Sequence, residues 1–281
     1  MTVITENTGD SSQLSNNGDA LYRFSSRALL VIVWASSFIF GLYILANYAA
    51  AYFENDMLRW NNVLPEIYDP SQPQASVGIG LHFAAGGLIL VLGGMQLIEP
   101  IRSNYPRVHH WTGRLYIFLS MVVAIGGLSF IAIKGTVGGL VMDIGFSLYG
   151  ILMFVAAVQT VRYAMARQLL DHQAWAWRLY ALAIGSWLYR MDYGLWLILT
   201  DWVGHTEEFD GWFDHIMAFF FYIPNLLIVE LMIRARSQES SKRLLTAASV
   251  TMLCCGLLLV TATWGFARVA WLPAITDFLF S

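Results

Sequence analysis

Residues 107–116 read RVHHWTGRLY and residues 171–182 read DHQAWAWRLYAL, two segments that combine histidine, tryptophan, arginine and a Leu-Tyr pair. Imidazole titrates near neutral pH and, when neutral, is a ready metal ligand. Two imidazoles from different elements at matching depth would form an axial donor pair for iron. The chain offers an inner couple, His110 and His172, and a looser outer couple, His82 and His215. Gln96 and Arg190 are the other polar side chains placed where they could orient a ligand.

The elements that must position these groups are set by composition. The chain has 281 residues, of which 57% are apolar and 12% charged. That is too apolar for an ordinary soluble domain. A bilayer core about 30 Å thick takes roughly 20 apolar residues per helix. Seven stretches qualify, at about 28–53, 77–98, 112–133, 142–163, 177–199, 212–233 and 244–266. Backbone amides in hydrocarbon need internal partners, so stretches of this length are helices. The expected fold is an all-α integral membrane bundle of seven crossings.

Basic residues are retained on the cytoplasmic side. With the N-terminus inside, Arg23, Arg27, Arg102, Arg107, Arg114, Arg162, Arg167, Arg178, Arg234, Arg236, Lys242 and Arg243 all fall on cytoplasmic ends. Only Arg59, Lys134 and Arg268 fall outside, and Arg190 lies within a helix. Residues 1–26, rich in Ser, Asn, Thr and Asp, read as a disordered cytoplasmic tail, with the transmembrane domain over 27–281. The apolar run from Ala28 is too long for a signal-peptide core and reads as a retained anchor. The longest outside loop, 54–76, carries Trp, Tyr and Pro and is expected to pack. Cys254 and Cys255 are adjacent inside the last helix and act as small apolar residues.

Ionisable groups inside a membrane are expensive, so each is a candidate for function. In the second helix His82, Ala85, Gly86, Ile89, Gly93 and Gln96 share one face. This stripe is either a seam where glycines let two helices approach closely or a flat slot for a planar ligand. In the fifth, His172, Trp175, Leu179, Ala183, Ser186, Arg190 and Tyr193 share a face. Arg190 stands about 27 Å along the axis from His172. It cannot shed its proton, so it needs a partner or an outward reach. Asp143 and Asp214 are the expected ion-pair candidates. Pro224–Asn225 is expected to bend the sixth helix, and Glu230 to pair with Arg234 one turn on.

The span from His82 to about Gly194 resembles a family of bacterial multi-pass membrane proteins known as a domain of unknown function. His82 and Gln96, HHWTGRLY at 109–116, GTVGGL at 135–140, DHQAWAWRLYAL at 171–182 and LYRMD at 188–192 carry the resemblance. It implies a core over 77–199 in the bacterial inner membrane and supplies no reaction. A more distant similarity is to cytochrome b561-type bundles, which hold haem b between histidines on facing helices. That similarity implies transmembrane electron transfer, with His110 and His172 as iron ligands and His82 and His215 as a second pair. The fourth helix departs from that pattern, since it has no outer histidine.

Two other readings stand beside it. The chain could transport or handle a lipid or quinone at a midplane pocket lined by Gln96, Arg190 and the Pro224 break. Or its polar residues could only join helices in an assembly partner. The expected partners are the bilayer and a redox protein or quinone, with no nucleic acid. A retinal protein is excluded, because Lys134 and Lys242, the only lysines, both fall in loops. Enzyme signatures such as a P-loop, a dinucleotide-binding glycine turn, H-E-x-x-H or C-x-x-C are absent from the sequence.

Overall fold

The computed structural model describes residues 8–62, 67–236 and 241–280. Every regular element among them is helical. The helices are α1 (Thr8–Phe53), α2 (Pro73–Gly93), α3 (Glu99–Asn104), α4 (Pro106–Lys134), α5 (Gly139–Met165), α6 (Leu169–Ala183), α7 (Gly185–Thr200), α8 (Trp212–Phe220), α9 (Ile223–Ala235), α10 (Lys242–Phe266) and α11 (Leu272–Phe280). A π-helical turn, Ala267–Trp271, joins the last two.

Six segments are long and apolar enough to cross a bilayer: Ala20–Phe53, Pro73–Leu97, Pro106–Lys134, Gly139–Met165, Trp212–Ala235 and Lys242–Phe280. Large apolar side chains such as Phe118, Ile151 and Leu257 are exposed on the bundle's outside. In lipid that exposure carries no hydrophobic penalty.

The remaining expected crossing, 177–199, is two helices rather than one. α6 and α7 meet at Ile184, and the bonds Ile184 N–H to Tyr180 O (3.1 Å) and Leu188 N–H to Ile184 O (3.0 Å) tie the halves into one kinked rod. The kink has a cause in α5. The Tyr149 hydroxyl donates to Leu182 O at 2.6 Å, a carbonyl that a straight helix would offer to the amide of residue 186. A side chain inserted into the ladder in this way bends a helix. Gly185 makes room, since a Cβ there would lie 2.9 Å from the Tyr149 ring and hydroxyl. Tyr149→Phe should straighten the rod and cost about 1 kcal/mol, read as a lowered unfolding temperature in detergent.

The second kinked crossing is α8–α9. Pro224 lacks an amide hydrogen and crowds the preceding turn, and Asn225 Nδ2 donates to Phe221 O at 2.6 Å. This is the bend expected at Pro224–Asn225. The two kinked rods meet around an aromatic cluster of Phe146, Tyr149, Tyr189, Phe221 and Tyr222, with ring centroids 4.9–5.5 Å apart.

α1 begins at Thr8, within the 1–26 segment expected to be a tail, and residues 1–7 lie outside the described residues. The extension is held where it meets the bundle. Ser25 is buried, and the Tyr22 hydroxyl donates to Met232 O at 2.7 Å. The outside loop packs as expected. Trp60 is buried and donates to Tyr48 O at 3.3 Å, while the Tyr48 and Phe83 rings stack at 4.0 Å.

The α2 stripe is a seam. At Gly126 of α4 a Cβ would stand 2.8 Å from Gly78 O, so two backbones touch there. Further along, the rings of Tyr116 and Tyr180 occupy the space over Gly93, where a Cβ would meet them at 3.1 and 3.0 Å. The Gly93 end of the stripe is therefore filled with tyrosine, while nothing lies within 4 Å of a Cβ at Gly86.

Candidate functional site

On the extracytoplasmic side, by the charge bias above, the outer ends of α2, α4, α5 and α7 enclose a cavity of about 210 Å³. Its walls are mostly apolar, from Ile79, Val123, Phe146 and Met153, and its polar lining is His82, Lys134, Thr136, Ser186, Tyr189 and Arg190. The outside turn 135–137 forms one rim. Lys134 reaches Asp69 of the 54–72 loop at 3.5 Å, strapping that loop beside the cavity. The Asp69 carboxyl is held below its ordinary range, first by the Ser71 hydroxyl and amide and then by Lys134. Because its folded value is depressed, this strap is present at neutral pH and is lost as pH falls through that lowered value.

His82 lies in the wall of this cavity. Its Nδ1 is 2.9 Å from Val123 O. A carbonyl only accepts, so Nδ1 carries the proton and Nε2 keeps its lone pair when the ring is neutral. Gly127 makes this possible, since a Cβ there would press on His82 Nδ1 at 3.1 Å.

Arg190 is the second cationic group of the cavity that has no role in strapping the loop. Its Nη1 donates to Ser186 O at 3.2 Å and its guanidinium lies 5.4 Å from the Phe40 ring centroid. The ion pair expected with Asp143 or Asp214 does not form. The Asp143 carboxylate accepts from the Thr136 amide at 2.6 Å. Asp214 is spent on four donors: Tyr193 Oη and His205 Nδ1, each at 2.7 Å, and the amides of Thr206 (3.1 Å) and Gly211 (3.0 Å). No carboxylate pairs with Arg190 among the described residues. The guanidinium thus lines a largely apolar cavity with the Ser186 carbonyl, the Phe40 ring and the Tyr48 side chain as neighbours, and with no carboxylate among the described residues.

Of the outer histidine couple, His82 lines this cavity and His215 does not; the His215 amide donates to Gly211 O at 3.0 Å. The histidine with a carboxylate partner is His205, which the sequence reading passed over. It sits in a loop between helices, with no apolar periodicity to mark it as inward-facing. Tyr193, Trp202 and Phe209 pack around its ring at centroid distances of 4.8–5.8 Å. Together with the fully buried Asp214 it knots the 201–211 loop onto α7 and α8.

The inner layer is also arranged differently from the expectation. His110 is exposed, and it is His109 that turns inward, half-buried with a buried Nδ1 that finds no partner in the chain. Helical spacing contained this signal. Residues 109, 112, 113, 116, 120 and 123 recur at three- and four-residue steps, and Tyr116, Ser120 and Val123 are buried. His172 Nδ1 donates to Thr160 O of α5 at 2.9 Å. Gln96 Nε2 donates to Thr112 Oγ1 at 2.7 Å, clamping the end of α2 to α4. Neither His110 nor His172 lines the cavity described above or the larger one on the opposite side. His110 is exposed and His172 Nδ1 is committed to Thr160 O, so neither cavity draws the two rings together. Glu230 pairs with Arg234 at 3.3 Å as expected, and also with Arg178 of α6 at 2.7 Å.

Apolar rods without a polar outer face, enclosing a largely apolar cavity that Arg190 and His82 line, define a multi-pass helical membrane protein. Residues 79–233 match the family described as Predicted membrane protein (DUF2306). That match covers more than half of the chain, and the chain belongs to this family. No curated protein and no solved structure matches it.

Proposed function

We propose that this chain binds a small amphiphile of the quinone or lipid class in the outer cavity, with the ligand's oxygen-bearing head between Arg190 and His82, and serves as a carrier or accessory factor in the bacterial cytoplasmic membrane. The observation that carries this reading is the Arg190 guanidinium without a carboxylate in an apolar cavity. Burying a charge is costly unless it is paired, and a carboxylate, phosphate or carbonyl oxygen of a ligand supplies the missing partner. His82 adds either an acceptor or a donor at Nε2, depending on its charge. A volume of about 210 Å³ admits a head group or a single ring. It falls below the roughly 300–1,000 Å³ of sites that engulf drug-sized ligands, so an apolar tail would leave between the helices. Two of the crossings beside the cavity, α6–α7 and α8–α9, are interrupted, and discontinuous helices at a midplane site are a feature of secondary transporters.

The test is extraction of the detergent-purified chain and mass spectrometry of what it carries, in the wild type and in Arg190→Gln. A lost charge-assisted hydrogen bond is worth about 1.5–3 kcal/mol, so retention should fall roughly tenfold to a hundredfold. Size-exclusion and circular dichroism profiles should stay unchanged. Misfolding of the variant would instead make Arg190 a structural residue, and unchanged retention would remove it from the site.

A haem b electron carrier is the second reading, and one observation favours it. His82 and His172 each commit Nδ1–H to a carbonyl, the orientation that presents Nε2 to a metal. A reduced-minus-oxidised spectrum of protein from a haem-replete host should carry a Soret difference on this reading. A colourless, folded preparation rules it out.

A further inference from the structure

A second cavity of about 1500 Å³ opens on the cytoplasmic side and shares no lining residue with the first. Its walls are α1, the segment around α3, α6, α7, α9 and α10. Along α10 it extends from Lys242 to Leu259, about 26 Å at 1.5 Å per residue. That length spans most of a hydrocarbon core of roughly 30 Å.

Its two ends differ in charge. The mouth carries Arg23, Arg27, Arg102, Arg236 and Lys242, against Glu99 as the one carboxylate lining that end. The walls below are apolar, with Leu30, Val33, Ile228, Leu245 and Leu258 among them. The deep end holds Asp192 and no basic side chain. An anionic head is therefore drawn to the mouth. Trp187 also lines the groove; it is fully buried, and its Nε1 has no acceptor among the described residues. Buried donors are almost always paired, and an ester or head-group oxygen of a ligand in the groove would satisfy this one.

We infer that the groove is a binding site for one anionic glycerophospholipid of the cytoplasmic leaflet. The phosphate sits among the arginines at the mouth, and the acyl chains lie between α1, α9 and α10. The volume exceeds the roughly 300–1,000 Å³ of pockets for drug-sized ligands, and basic clefts between helices on this side select acidic head groups. The site does not depend on the outer cavity or on Arg190.

The full chain is reconstituted in nanodiscs of phosphatidylcholine, with and without phosphatidylglycerol, and its retained lipids are read by native mass spectrometry after transfer to detergent. One phosphatidylglycerol per chain should persist in preference to phosphatidylcholine, and its presence should raise the unfolding temperature. In the double variant Arg27→Gln, Arg236→Gln, retention should fall roughly tenfold or more, because each surface cation contributes about 1 kcal/mol towards an acidic lipid. Equal retention of the two lipids by the wild type overturns the proposal without recourse to any variant. Stabilisation by inorganic phosphate alone, equal to that by the lipid, would assign the arginines to a free anion and overturn it too. A mass of two chains with no lipid retained would mean that a second copy covers the groove, and would likewise overturn it.

Discussion

Asp214→Ala should destabilise the folded chain by about 3–5 kcal/mol, the range for removing one partner of a buried charged pair. The side chain is fully buried and holds four donors from three places: Tyr193 on α7, His205 and Thr206 in the outer loop, and Gly211 at the start of α8. Truncation leaves all four without an acceptor, and each unsatisfied buried donor costs about 1–3 kcal/mol before relaxation. The bond to the Gly211 amide is also the helix cap of α8, with a residue of the first turn reaching back to the residue before it. The loop 201–211 should therefore detach, and the seat of Tyr193 beside Tyr189 in the cavity wall should loosen with it. Thermal unfolding in detergent measures the first effect, and limited proteolysis within 201–211 measures the second. Asp214→Asn keeps one acceptor oxygen and should lose less. A variant with Ala that melts within a degree of the wild type would show that the knot adds nothing.

Gly126→Leu should be at least as damaging, through a different cause. The α2 and α4 backbones touch at this position, and the first added carbon would stand 2.8 Å from Gly78 O and 3.5 Å from His82 Cβ. A clash with backbone cannot be relieved by a rotamer change, so the helices must part. Overpacking costs about 1–3 kcal/mol where neighbours can yield, and a leucine here should reach or exceed the upper end. Separation of the seam also breaks the bond from His82 Nδ1 to Val123 O, which sets the ring's orientation in the outer cavity. The variant should lose bound ligand as well as stability. Gly86→Leu, on the partner helix α2, is the control, because nothing lies within 4 Å of a Cβ at that position. Equal melting temperatures for the two variants would refute the close-contact account.

The membrane class, the helical architecture and the positions of most crossings were legible in the sequence, because hydrocarbon removes every alternative for an apolar run of that length. The break at Pro224 was legible for a similarly local reason, since proline cannot supply the amide its turn requires. The kink at Ile184 was not, although Gly185 sits beside it. Its cause is a hydroxyl from α5, thirty-three residues away along the chain. His109 was legible in principle from the spacing of Tyr116, Ser120 and Val123, and was obscured by the neighbouring His110, which matches His172 in motif but faces outward.

What the sequence determined by itself, then, is whatever depends on the solvent and on local geometry: spanning helices, basic residues gathered at alternate helix ends, a proline bend, an i to i+4 pair at Glu230 and Arg234. What only the tertiary structure decided is which polar groups meet. Asp214 was equally available to Arg190 on sequence grounds, yet His205 and two loop amides claim it, and the guanidinium is left facing a cavity. The physical reason is that an apolar interior fixes only where polar side chains are costly. Which partner relieves that cost is set by helix rotation and loop closure, and both depend on contacts far apart in the chain.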